Sequence, residues 1–72
     1  MTGPKIAAQR DYLRASELLI VRLVWREKAN QEIADALCIS LKTVETHIRN
    51  IMEVLKLHSR VGLALWYERQ LR

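Results

Sequence analysis

Apolar residues recur at helical spacing in four blocks along the chain, and the clearest block follows Ser40. At about 100° per residue, Val44, Ile48, Ile51 and Leu55 fall on one side of a helix. Lys42, Glu45, Thr46, Arg49 and Glu53 fall on the other. Ser40 stands where this helix begins, and its hydroxyl can accept from the first free backbone N–H groups. The pattern predicts a helix over about 41–55. Ahead of it lies a shorter helix over about 30–37, and Ile33, Leu37 and Ile39 supply the apolar seam between it and the longer helix. Ser59 opens a further helix over about 60–69. The first helix ends near Trp25 and gathers Leu13, Ile20, Val21 and Val24 on one face with Glu17. Its start has two readings. Pro4, with Thr2 as cap, permits a start near Lys5; a later start near Arg14 or Ser16 leaves residues 1–12 as an arm. Leu23 is assigned to the core. Leu18 and Leu19 point to other faces, and either complete the core or mark a contact with another chain.

One Pro and two Gly in 72 residues argue for helices rather than strands, and no alternating strand pattern stands out. The expected fold is all-α, a four-helix bundle containing a helix-turn-helix. Half of the residues are hydrophobic, so a core is feasible, although a chain of this size is marginally stable.

The helix-turn-helix expectation rests on spacing. Ala34 and Val44 lie ten positions apart. Two helices that cross closely at the first position need a small residue there, and the second position is a buried anchor on the following helix. Cys38 occupies the turn position that many such motifs give to Gly, so a residue with a side chain must accept a tight turn. A long helix with one oily side and one side of donors and acceptors suits the major groove of DNA. Arg pairs bidentately with guanine, Glu accepts from cytosine, and Thr meets a thymine methyl or a phosphate. The competing reading is an ordinary solvated face, with Arg49 paired to Glu45 or Glu53 four residues away.

Charge sharpens this picture modestly. The net charge is +4. Residues 1–39 carry six basic and five acidic side chains, residues 40–72 six and three. The surplus therefore lies with the long helix and the segment after it, which suits a polyanion. A single cysteine cannot form an internal disulfide, and no secretory signal is visible, so a reducing cytoplasm is expected. The run Leu18-Leu19-Ile20-Val21 is broken by Arg22, so no membrane partner is expected. Cys38, His47 and His58 lack a zinc spacing and a fourth ligand. Cys38 also lacks the partners of a thiol enzyme. Neither catalysis nor a metal or cofactor is expected.

The stretch Asn30-Gln31-Glu32-Ile33-Ala34, then Leu37, Ile39-Ser40, Lys42-Thr43-Val44, His47, Leu55 to Leu57 and Ser59-Arg60 resembles the LuxR-type helix-turn-helix family. That four-helix domain also occurs in GerE-like and NarL/FixJ-like regulators. The resemblance covers about residues 13–69, giving an arm or helix extension over 1–12 and the domain over 13–72. It implies sequence-specific transcriptional regulation, a third helix that reads double-stranded DNA and a fourth that forms a homodimer. By position it places Glu45, Thr46 and Arg49 at base edges, with Asn50 beside them, and Lys42, Thr43 and Arg60 on the backbone. Leu65 and Trp66, with Val61 or Glu68, are candidates for the two-fold contact. RNA polymerase or another regulator are further partners that such a role implies. His47 is assigned to packing. Trp25, Trp66 and Tyr67 are assigned to core or interface. The alternative function is a protein-interaction module that keeps the fold without reading DNA, favoured by Leu18, Leu19 and the acidic Glu45. The chain is either a stand-alone regulator or the effector part of a larger one.

Several positions depart from the family pattern. Arg14 replaces the Thr that caps the first helix, Ser16 an Arg, and Leu19 an acid. Glu27 replaces the closing Gly of that helix. Ala29 replaces the cap of the second helix, a role expected to pass to Asn30. Gly62 replaces an acid in the fourth. A lost cap costs roughly 1 kcal/mol, and Gly inside a helix about the same. The monomer is therefore expected to be marginal and to gain stability from dimerisation or DNA. Its thermal midpoint should rise with protein concentration across a wide range. A high midpoint independent of concentration overturns this.

Overall fold

The computed structural model describes residues 13–72. Four helices lie within them: α1 (Ala15–Trp25), α2 (Asn30–Leu37), α3 (Leu41–Leu55) and α4 (Arg60–Gln70). Each sends at least one side chain entirely out of water: Val21, Ile33, Val44 with Ile51, and Leu63. Leu13, Ile20, Val24, Ala34, Ile48 and Trp66 complete the buried set. Removing a side chain of the Val, Leu or Ile type from water contributes about 1.5–3 kcal/mol, so this cluster is the main stabilising term. α1 lies across α4 and α3, and α2 lies against α3. Ala34 is 1% exposed. A larger side chain at this crowded point would push neighbouring atoms apart, at about 1–3 kcal/mol.

The first helix begins at Ala15, close to the later of the two expected starts. Arg14 is extended (φ −77°, ψ 162°), so no continuous helix runs from Lys5 to Trp25. The arm, with Thr2 and Pro4, lies outside the described residues. Leu18 and Leu23 pack against the core, whereas Leu19 points outward.

The helix starts show how the missing caps are offset. Ser40 Oγ accepts from Thr43 N and Ser59 Oγ from Gly62 N, both at 3.0 Å, as expected. Arg14 and Ala29 have no acceptor to offer. Instead Glu17 Oε1 accepts from Arg14 N at 2.9 Å, and Glu32 Oε1 from Ala29 N at 2.8 Å. This is the acidic half of a capping box, and it also places a negative charge in the first turn. The expectation that Asn30 caps α2 is wrong. Asn30 is already helical, and its Oδ1 accepts from Arg60 Nη1 at 2.6 Å. Arg60 Nη2 donates to the Lys28 carbonyl at 2.6 Å. One guanidinium thus joins the start of α4 to the start of α2.

The first three helices end alike. Lys28 N donates to Leu23 O, Ile39 N to Ala34 O and Leu57 N to Met52 O, each closing a six-residue loop. The loop requires a left-handed residue. Glu27 (φ 63°), Cys38 (φ 57°) and Lys56 (φ 58°) take that role. None is Gly, and the two glycines of the chain, Gly3 and Gly62, sit elsewhere. A side chain in this conformation costs about 1–2 kcal/mol. Cys38→Gly and Lys56→Gly should each stabilise the domain by about 0.5–1 kcal/mol after the extra chain entropy of Gly is counted. Thermal melting reads this as a rise of a few degrees, about 4–8 °C per kcal/mol for a domain of this size. Cys38→Ala, which keeps the Cβ, should leave the midpoint nearly unchanged.

Candidate nucleic-acid interface

The underside of α3 fixes which side faces out. Val44, Ile48 and Ile51 are buried, so the opposite side must meet solvent. Lys42, Glu45, Arg49, Asn50 and Glu53 are exposed, and Thr43 and Thr46 are half-buried at the margins. Six of the expected contact residues, Lys42, Thr43, Glu45, Thr46, Arg49 and Asn50, thus share one helix. Among the described residues, Lys42 and Arg49 form no ion pair, and neither Glu45 nor Glu53 bonds to Arg49. The internally paired reading of Arg49 is therefore not realised. Its charge remains available.

The first turn of α3 adds a second feature. Ser40 Oγ and Thr43 Oγ1 share a hydrogen bond of 2.8 Å while Ser40 also caps Thr43 N. The amides of Leu41 and Lys42 precede the first intrahelical bond, from Val44 N to Ser40 O. Free amides and the positive end of the helix dipole favour an anion there.

His47 leaves the exposed stripe for the flank facing α1. Its Nδ1 lies 4.0 Å from Glu17 Oε2, while the other oxygen of Glu17 holds the start of α1. His47 is half-exposed at this position, its side chain 36% open to solvent. Arg60 is not part of the α3 stripe. Its guanidinium is committed to Asn30 and the Lys28 carbonyl.

On α4 the four dimer candidates separate. Val61 is 68% exposed and Leu65 52%, one turn apart. Trp66, expected with them, is instead a core residue at 8% exposure. Its position one residue after Leu65 turns it about 100° inward. Glu68 Oε1 accepts from Trp25 Nε1 at 2.7 Å, and Glu68 Oε2 lies 3.8 Å from Arg72 Nη2. The rings of Trp25 and Tyr67 meet at a tilt of 51°, their centroids 5.4 Å apart. Trp25 and Tyr67 therefore meet at the α1–α4 seam, and Trp66 lies in the core.

Cys38 is an exposed free thiol. Among the described residues there is no group of His, Cys, Asp or Glu that could hold a metal, and no helix long and apolar enough to cross a membrane.

Two features go beyond the expectations from sequence. Glu17 and Glu32 each stand three residues after a helix start, a spacing that is visible locally. The Arg60–Asn30 and Glu68–Trp25 bonds span 30 and 43 residues, and nothing local announces them.

Comparison with known proteins accords with this geometry. The family model for bacterial regulatory proteins of the luxR family matches residues 11–67. The transcriptional regulatory protein LiaR of Bacillus subtilis is 38% identical over 63 residues, covering 88% of this chain and 30% of that protein. A nitrate/nitrite response regulator protein homolog of Haemophilus influenzae is 37% identical over 62 residues, with 86% and 30% covered. The uncharacterised response regulatory protein YgeK of Escherichia coli is 50% identical over 50 residues, with 69% and 33% covered. The chain spans about a third of the length of these curated relatives. Its four helices, the Ala34–Val44 spacing and the match over most of its length place it together with them: the chain belongs to the LuxR family of bacterial regulatory proteins.

Proposed function

We propose that this chain is the DNA-binding part of a transcription regulator, with α3 docked in the major groove of double-stranded DNA. The observation that carries the reading is the outward stripe of α3, whose two cations have no internal partner among the described residues while its opposite side is buried. Lys42 and Thr43, at the amino end of α3, hold phosphate and set the register. Glu45, Thr46, Arg49 and Asn50 meet base edges. Arg60 braces α4 against α2 and, by the family resemblance, also meets the DNA backbone. The relatives are named as response regulators or transcriptional regulatory proteins, and by that likeness this chain acts as an effector domain. RNA polymerase or another regulator then meets surfaces left open when α3 is docked.

The working unit in this reading is a homodimer joined through α4. Val61 and Leu65 carry the contact, since Trp66 is in the core and Glu68 is held by Trp25. Half-sites then lie about one turn of DNA apart. The second reading, a protein-interaction module, draws on the outward Leu19 and on Glu45.

Titration into duplex DNA at several salt concentrations separates the two. DNA binding should weaken steeply, by a slope of about 0.9 in log K per phosphate neutralised. No binding at low salt would favour the protein partner. In sites selected from random DNA, Arg49→Ala should relax one position, at about 1–3 kcal/mol. A uniform loss over all sequences would assign Arg49 to phosphate. Leu65→Glu should weaken binding to a two-part site and leave binding to a single half-site unchanged. Equal losses on both duplexes would rule out α4 as the joint.

A further inference from the structure

Glu45 is the odd member of the α3 stripe. It is exposed between Lys42 and Arg49, on the helix that carries the available cations. Among the described residues its carboxylate takes part in no ion pair, although Arg49 stands four residues later where such pairs commonly form. A free carboxylate near phosphates is repelled, so it weakens binding to DNA in general. It becomes favourable only where a donor waits for it. In the major groove the donors are amino groups of cytosine and adenine, whereas guanine and thymine present acceptors to it. A lone carboxylate, which only accepts, matches the cytosine amino group. Adenine, with an acceptor beside its donor, is matched by an amide.

We propose that Glu45 is a specificity-determining residue, which selects a cytosine in the half-site and lowers affinity for DNA without one. This rests on the reading of α3 as the docked helix. The selection works from both sides, by attraction to the right base and repulsion from the others. Glu53 is the internal control. It carries the same charge on the same stripe, but two turns further along α3 than Glu45, away from the amino-terminal end that approaches the bases in helices of this kind.

The test is selection of sites from random duplex DNA with the wild type, Glu45→Gln, Glu45→Ala and Glu53→Gln. Affinities for the selected duplex and a scrambled one are then measured at several salt concentrations. The wild type should enrich cytosine at one position. Glu45→Gln should shift that position towards adenine and Glu45→Ala should flatten it. In both, the ratio of selected to scrambled affinity should fall about tenfold, within the range for one base contact. Glu53→Gln should keep the cytosine. Identical base preferences in the wild type and Glu45→Gln overturn the proposal and leave the docked helix intact, as does an equal gain on both duplexes. A wild type with no selective binding at low salt overturns both. Glu45 is exposed and Gln matches its size, so unchanged thermal midpoints establish that the variants are folded.

Discussion

Everything this domain presents outward depends on the burial of Val44, Ile48 and Ile51. A helix of 15 residues would fray in isolation. Packing of its apolar side against the other helices both stabilises it and fixes its rotation. Because Ile33 and Ala34 sit beneath it, α3 cannot roll without exposing apolar surface or meeting the backbone of α2. The chemistry of the exposed side is thus a by-product of the chemistry of the hidden one. A polar residue on the outer side can therefore be exchanged without changing the pose of α3.

The rest of the domain makes up for weak local choices with longer connections. Two helices lack a capping side chain, and three end on a strained left-handed residue that is not Gly. Against this stand the reach of Glu17 and Glu32, the guanidinium of Arg60 spanning α4 and α2, and the indole of Trp25 bound to Glu68. The last two join segments remote in the chain, so they form only when the whole bundle is assembled. Local conformational preference alone would leave α1 and α2 poorly formed. Their stability belongs to the folded domain as a unit.

Periodicity makes much of this readable from the residues alone. Helix spans follow from the 3.6-residue period and from Ser40 and Ser59, because a hydroxyl at a helix start has a short-range effect that leaves a short-range trace. The small Ala34, ten positions before the buried Val44, is legible for the same reason. The role of Asn30 is not, because its partner, Arg60, is distant in the chain. Trp66 misleads because α4 is apolar on more than one side: Val61 and Leu65 are exposed while Leu63 and Trp66 are buried. A pattern of apolar residues gives a direction only when polar residues mark the other side, and α4 lacks that contrast. α3 has it in full.

The placement of the indoles has a practical consequence. Trp25 and Trp66 are the only tryptophans; the first is tied to Glu68 across the α1–α4 seam and the second lies in the shared core. Loss of the bundle transfers both rings to water and shifts their emission to the red. α3 carries no aromatic ring of the Phe, Tyr or Trp type. Intrinsic fluorescence in an unlabelled sample therefore follows assembly of the bundle.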